Sequence, residues 1–342
     1  MKVRFIILAA AVAVLSTGCA KDVSTTKNDA AKRHLEIWMQ NHHPSVKKTE
    51  PGIYILNDIP GTGKSVEDYD TYPYIRFEYQ STDLDGNYKD YCNPEIAKQL
   101  GTYDVTKFYG PSILSRNENG ITAGVEAMFN GMKVGGTRTA VIPGWLNTYK
   151  RYKTEDEYLK NVTGDNGIYT VKVVDVIKDI VKWETDSLEK YVHSIKPGLD
   201  SLKGGLYYIQ TQAPKDTTGF KSGTKILVNY TGRLLNGRVF DTSNADTAKV
   251  WNVYSSDRTY GPSTITVKDE WKKYYMGTGS SSSDEGNMIQ GFAYAVSKMR
   301  TGEKGIVIFH SELGYGTKGS GDKIPSFSPL IFELELIGKS KD

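Results

Sequence analysis

The chain carries one pattern twice, which restricts it to folds that a single sequence of about half its length can adopt. Gly52-Ile53-Tyr54-Ile55 is echoed by Gly205-Leu206-Tyr207-Tyr208-Ile209, and Ile75-Arg76-Phe77-Glu78-Tyr79 by Ile226-Leu227-Val228-Asn229-Tyr230. Asp83-Leu84-Asp85-Gly86 aligns without a gap on Leu234-Leu235-Asn236-Gly237. Tyr109-Gly110-Pro111-Ser112 recurs as Tyr260-Gly261-Pro262-Ser263, at the same distance from Tyr79 as the second copy is from Tyr230. Gly124 to Gly135 matches Gly291 to Gly302, and Ile168 to Val173 matches Ile331 to Leu336. A length of 342 residues suits two such units.

Within each unit the patterning is mixed. Val228 and Tyr230 alternate with Asn229, the period of a half-buried strand, and Asn236-Gly237 is a hairpin turn because both residues tolerate positive φ. Phe292, Ala295, Val296 and Met299 recur at i, i+3, i+4 and i+7, predicting a short helix with one apolar face; Val125, Met128, Phe129 and Met132 take that part in the first unit. Each unit also opens on a helical pattern: Ala30, Ala31, Leu35, Trp38 and Met39 in the first, and Trp183, Leu188 and Tyr191 before Pro197 in the second. These helices either cap their own unit or act as spacers. The expected domains are 28–180 and 204–342, joined by a partly helical linker over 181–203 that holds few Gly and Ser and allows limited freedom.

Four stretches of the second unit, in order, carry a family likeness. They are Val228 to Ser243 with its Phe240-Asp241 pair, Met288 to Lys304, Leu313-Gly314-Tyr315-Gly316, and Ile324-Pro325 followed by Pro329 to Leu336. Together they resemble the signatures of the FKBP-type peptidyl-prolyl cis-trans isomerases, over about Gly205 to Ile337. The resemblance implies an α+β fold of two FKBP-like domains, each a twisted antiparallel sheet wrapped around a short helix. It implies that Tyr230, Phe240, Met288, Ile289, Phe292 and Phe332 line an aromatic box, with Phe292 as a floor where many relatives carry Trp. Asp241 would orient Tyr230 or the substrate, Tyr315 and the Ile289 amide would donate to substrate carbonyls, and Ile324 would close the rim. The chemistry is rotation of an Xaa-Pro amide, which needs neither nucleophile nor proton transfer; a dry pocket favours the twisted, less charge-separated form. No cofactor and no metal are expected, and the partners are proline-containing polypeptide clients. The alternative is a non-catalytic protein that uses FKBP-like pockets for client binding or envelope assembly.

Two departures stand out. His310 occupies a position where the family often has proline, and the stretch from Asp241 to Met288 is long. It holds Trp251, Tyr254, Tyr260, Trp271, Tyr274 and Tyr275 and then Ser280 to Ser283, a candidate extension of the peptide-binding surface or a decorated hairpin; Trp251 and Tyr254 are candidates for a further rim aromatic. The first unit is degenerate. Lys89 stands at the position of Phe240, Val125 at that of Phe292, Ser81 at that of Gly232 and Tyr169 at that of Phe332, while Asp90 and Tyr79 are kept. Thr148 or Tyr149 is the approximate counterpart of Tyr315. A lysine in the box brings in water or a desolvation cost, so this unit is expected to bind or position clients without efficient isomerisation.

The first residues read as an export signal: Lys2 and Arg4, an apolar run from Phe5 to Leu15 too short to span a bilayer, then Leu15-Ser16-Thr17-Gly18-Cys19. That last stretch resembles a bacterial lipobox, implying cleavage of 1–19 with lipidation at Cys19 and a membrane-tethered protein of the cell envelope, at the outer membrane. Loss of Lys2 and Arg4 takes the formal charge from +3 to about +1, which gives no electrostatic reason to seek nucleic acid. Cys92 is then the remaining cysteine, without a pairing partner and without a Cys-His arrangement; it reads as a small packed side chain. His42-His43 lacks a third ligand at useful spacing, and Gly61-Thr62-Gly63-Lys64 reads as a turn between strands.

Overall fold

The structure is a computed structural model that describes residues 27–50, 52–68, 70–117, 120–202, 205–277 and 286–340. Cys19 with the export signal, and the serine run Ser280 to Ser283, lie outside the described residues. The first unit runs α1 (Lys27–His42), β1 (Tyr54–Ile59), β2 (Tyr74–Thr82), β3 (Tyr88–Tyr91), α2 (Pro94–Gln99), β4 (Ser112–Ser115), α3 (Ala123–Phe129), β5 (Thr137–Ile142), α4 (Glu155–Asn161) and β6 (Gly167–Ile177). The second runs α5 (Ile180–Ile195), β7 (Tyr207–Gln212), β8 (Lys225–Leu234), β9 (Val239–Thr242), α6 (Ala245–Val250), β10 (Ser263–Thr266), β11 (Tyr275–Met276), α7 (Gln290–Lys298), β12 (Lys304–Phe309) and β13 (Leu330–Lys339).

Among the described residues the two sheets share one topology, to which the second adds β11. The orders are β1-β5-β6-β2-β3 with β4 also on β2, and β11-β10-β8-β13-β12-β7 with β9 also on β8. All these pairings are antiparallel. The fold is α+β, two FKBP-like domains each wrapping a sheet around a short helix. The duplication extends to local detail. Gly86 and Gly237 take φ of 87° and 83° at the equivalent hairpin turns. Asn93 and Asn244 cap the equivalent helices α2 and α6, accepting the amides of Glu95 and Thr247. Tyr103 stacks on Tyr109 at 5.4 Å, and its copy Tyr254 stacks on Tyr260 at 5.1 Å.

Each central helix lies hard against a strand at a glycine. A Cβ on Gly291 would sit 2.4 Å from the Phe309 ring, and one on Gly124 would sit 2.3 Å from Ile142 Cγ2. The apolar face of α7 is accordingly closed, with Phe292, Ala295, Val296 and the following Met299 all buried. In the first unit Met128, Phe129 and Met132 are buried and Val125 is half-buried.

The partly helical segment over 181–203 holds one helix, α5, from Ile180 to Ile195, which packs on the second unit. Strand alternation explains how. Leu206, Val307, Phe309, Leu330 and Phe332 point to the α7 side, while Tyr207, Ile308 and Ile331 point to the other side and meet Leu188 and Val192 of α5. The second sheet is thus covered on both faces. Helix α1 docks differently: Leu35 and Met39 enter the first core, and the Asn28 amide nitrogen donates to Val162 O at 2.6 Å, beside α4, an element without a counterpart in the second unit.

Glu184 of α5 is buried and accepts the Ser311 amide at 2.6 Å and the Ser311 hydroxyl at 2.7 Å. Burial outweighs those two bonds and pushes its carboxyl from the ordinary 4.5 up to about 7. Between those values the folded chain binds more protons here than the unfolded chain, so this group makes stability fall as pH rises from about 4.5 to about 7. Below that window both states are protonated and the penalty is absent; above it the penalty is complete. Glu184→Gln keeps an acceptor and a donor for Ser311 and is expected to flatten this segment of the pH profile. Urea midpoints of the two proteins across that range check it; parallel slopes would refute it.

Candidate active site

Phe332 is the hub of the site. It lies on β13, paired through β8 with Gly232, and four rings surround it. Phe292 and Phe240 meet it edge-on at 5.0 Å and 5.6 Å, Tyr230 is tilted at 6.3 Å, and Phe309 is stacked at 6.0 Å. Tyr230 also meets Phe292 edge-on at 5.7 Å. Ring pairs prefer such edge-to-face geometry because the positive ring edge meets the negative face. Room for the cluster comes from Gly232, where a Cβ would lie 2.5 Å from Phe240 and 2.9 Å from Phe332.

The polar rim is built from the β8–β9 hairpin. A register shift between Gly232 and Arg233 lets Asp241 pair with Gly232 while Phe240 turns inward. Asp241 Oδ2 accepts the Tyr230 hydroxyl at 2.8 Å, and Oδ1 accepts the Thr242 amide at 2.8 Å and the Arg258 guanidinium. Arg258 also donates to the Tyr230 hydroxyl oxygen at 2.9 Å. Burial first, and then the Asp241 charge, push the Tyr230 hydroxyl well above the ordinary tyrosine range, so it stays a donor. The side chains of Asp241 and Arg258 are each 37% exposed, and Tyr315 is 37% exposed, whereas Phe240, Phe292, Phe332 and Ile324 are buried. A wet rim of the Asp241 carboxylate, the Arg258 guanidinium and the Tyr315 phenol, with the buried Tyr230 hydroxyl behind it, therefore stands over a dry aromatic floor. Burial and the Asp241 charge raise Tyr315 as well, keeping it protonated.

The remaining residues singled out in the sequence fall around this cluster. Met288 and Ile289 are half-buried against the same core, and Ile289 precedes the first turn of α7. Among the described residues no protein group accepts the Ile289 amide. Ile324 closes a tight hairpin with Ser320, its amide donating to Ser320 O at 3.2 Å. Trp251 lies over Arg233 at 5.2 Å, and Tyr254 stacks on Tyr260. His310 is buried ahead of the turn that leads to Tyr315. Arg258 was absent from the residues chosen on sequence. A signal for it exists, since a basic residue stands two positions before the repeated Tyr-Gly-Pro-Ser in both halves, as Lys107 and as Arg258.

The first unit repeats the backbone of this site without its contents. Ser81 pairs with Asp90 as Gly232 pairs with Asp241, which fixes Lys89 at the position of Phe240. Lys89 does not enter the box; its side chain is 59% exposed and reaches Asp83 at 2.9 Å. The expected lysine inside an apolar pocket is corrected accordingly: leaving costs it nothing in hydration. Tyr79 to Asp90 lengthens to 3.4 Å, and the Tyr79 amide donates to Cys92 Sγ where the Tyr230 amide donates to Ser243 Oγ. Cys92 is thereby a buried acceptor inside the fold. Short helices after β5 and β12 put Thr148, half-buried, at the position equivalent to Tyr315, with Tyr149 exposed.

Residues 276–337 match the family model described as FKBP-type peptidyl-prolyl cis-trans isomerase. FK506-binding protein 2 of Dictyostelium discoideum is 34% identical over 139 residues, covering 41% of this chain and 80% of that protein. The FKBP-type 22 kDa peptidyl-prolyl cis-trans isomerase of Escherichia coli K12 is 28% identical over 142 residues, covering 42% of this chain and 53% of that protein. A crystal structure of a peptidyl-prolyl cis-trans isomerase from Pseudomonas syringae pv. tomato covers 49% of this chain and 99% of its own, at 25% identity and a TM-score of 0.33. Phe292, Phe309 and Phe332 of the aromatic cluster lie within the matched residues, and with 34% identity over 80% of the Dictyostelium protein the chain belongs to the FKBP-type peptidyl-prolyl cis-trans isomerase family.

Proposed function

We propose that the second unit carries the isomerase activity, through the pocket around Phe332, and that the substrates are exported proline-containing polypeptides reached from a lipid anchor at Cys19. The observation that carries this reading is the Tyr230–Asp241–Arg258 network set on the lip of the Phe240, Phe292 and Phe332 cluster. Rotation about an Xaa-Pro bond faces a barrier of roughly 18–20 kcal/mol because it breaks amide resonance. A prolyl ring seated on buried aromatic faces takes its amide out of water. That raises the planar, charge-separated form relative to the twisted one. The Ile289 amide and the Tyr315 hydroxyl are donors at the edge of the cluster, suited to hold flanking substrate carbonyls while the bond turns. Asp241 and Arg258 neutralise each other beside the opening, so the rim orients without placing a net charge over the floor.

The first unit is read as a non-catalytic partner of the second. Support comes from Lys89, which vacates the aromatic position for Asp83, and from Val125 in place of Phe292. The anchor and the envelope location rest on the sequence from Lys2 to Cys19.

Three outcomes follow in the full-length protein. Prolyl cis/trans exchange in short Xaa-Pro peptides is expected to lose roughly tenfold or more in kcat/KM on Phe240→Ala, as a pocket loses several carbons. Circular dichroism confirms that the variant is folded; a folded variant with wild-type kcat/KM would remove the aromatic pocket from the mechanism. Tyr230→Phe is expected to slow exchange and Tyr79→Phe to leave it unchanged, which assigns turnover to the second unit; the reverse pattern would assign it to the first. Expressed in a bacterium with its signal, the protein is expected to incorporate labelled palmitate and sediment with membranes, and Cys19→Ser to do neither. A Cys19→Ser protein that still takes up label would rule out that anchor.

A further inference from the structure

We infer that the first unit positions the loop of the second that carries Tyr315 and Ile324, so that the isomerase pocket is completed by both halves of the chain. This rests on the isomerase reading above and adds the part played by the degenerate copy.

The loop from Gly316 to Pro329 is fastened to the first unit at two points. Its tip is the hairpin in which Ser320 and Ile324 exchange backbone hydrogen bonds at 2.7 and 3.2 Å. Asp322 lies at that tip, and its carbonyl accepts the Phe108 amide at 2.8 Å while its carboxylate meets Lys107 Nζ at 3.2 Å. The ion pair is exposed on both sides and contributes little; the backbone bond fixes position. The Phe108 ring packs against the hydrophobic core of the second unit. Lys107 and Phe108 occupy the positions that Arg258 and Thr259 hold in the catalytic copy. The basic residue that serves the rim in one copy therefore serves the joint in the other.

The second fastening is Phe327. Its ring is buried in a cluster with Ile177, Ile180, Ile113 and Trp183, and Tyr74 meets it edge-on at 5.4 Å. Its backbone φ is +56°, a region that a bulky side chain rarely adopts and holds only when its surroundings impose it. Its amide donates to Gly316 O at 2.9 Å, directly beside Tyr315. Each fastening thus acts on a residue adjoining the site: the tip hairpin on Ile324, and Phe327 on the turn that follows Tyr315. A pocket edge displaced by about an ångström loses much of its productive geometry. Phe108, Ile113 and Phe327 are accordingly positioning residues.

The test uses the full-length chain with Phe108→Ala, Ile113→Ala and Phe108→Leu. The alanine variants are expected to raise KM for an Xaa-Pro peptide on the order of tenfold with a smaller change in kcat, and Phe108→Leu to recover most of it. Hydrogen exchange at the Phe327 amide is expected to quicken in the alanine variants while the amides of β12 and β13 stay protected, which separates a loosened loop from a damaged fold. Phe327→Gly, which removes the ring and the strain together, is expected to raise KM likewise. A quickened Phe327 amide with KM within roughly twofold of wild type would overturn the positioning role, and an unchanged Phe327 amide in both alanine variants would overturn the fastening itself. If the wild-type chain turns over no peptide, the isomerase reading fails separately. Peptide affinity by titration then decides: weaker binding in the alanine variants upholds the positioning, and equal binding overturns it.

Discussion

The second unit depends on how many rings can be brought to Phe332. A ring near the start of an inner strand, touched by four others, sets where α7 must lie, how deep Phe240 reaches and which backbone positions must lack a side chain. Gly232 and Gly291 follow from that demand: each marks a place where a Cβ would enter a ring. Interiors are packed as densely as organic crystals, so such contacts are met or missed as a set. Tyr230 belongs to the same set, and its hydroxyl carries the order of the rings outward to Asp241 and Arg258. The polar rim is therefore placed by the apolar floor.

The first copy shows what happens when that demand is relaxed. Its floor is Val125 and its central ring Tyr169, and Ser81 is accepted where the second copy requires glycine. With less ring volume to seat, the position of Phe240 no longer needs an apolar side chain. Lysine there keeps its charge in water and finds Asp83. Sheet order, turn glycines, helix caps and the tyrosine stack all persist. The fold tolerates loss of the box because the box occupies one end of the core, while backbone pairing holds the rest.

Much of this was legible in the sequence because it is written in local chemistry. The duplicated hairpin with Asn236-Gly237, the i, i+3, i+4, i+7 face of α7 and the glycines all constrain a few consecutive residues. The register that sets Lys89 against Phe240 follows from alignment of the two halves and agrees with the observed strand pairing. Less legible were contacts made across distance. Arg258 reaches Asp241 from a loop whose length has no local period, and only its paired copy Lys107 hints at it. In helix α5 the buried Glu184 reads as a surface residue until Ser311 is placed beside it. The fate of Lys89 turned on a free choice of rotamer, which a sequence does not record.

Strand alternation also explains how the first copy could lose a pocket and keep a role. Ile75, Leu114 and Val176 face its core, whereas their neighbours Tyr74, Ile113 and Ile177 face outward to Phe327. Because successive side chains leave a strand on opposite sides, substitutions that empty the inner face leave the outer face untouched. The box and the joint to the second unit are thus separable on β2 and β6, which contribute to both. A duplicated domain can change its box on one face while the other keeps Phe327 of its sister in a packed cluster. Phe327, whose amide donates to Gly316 O beside Tyr315, ties that outer face to the pocket of the second unit.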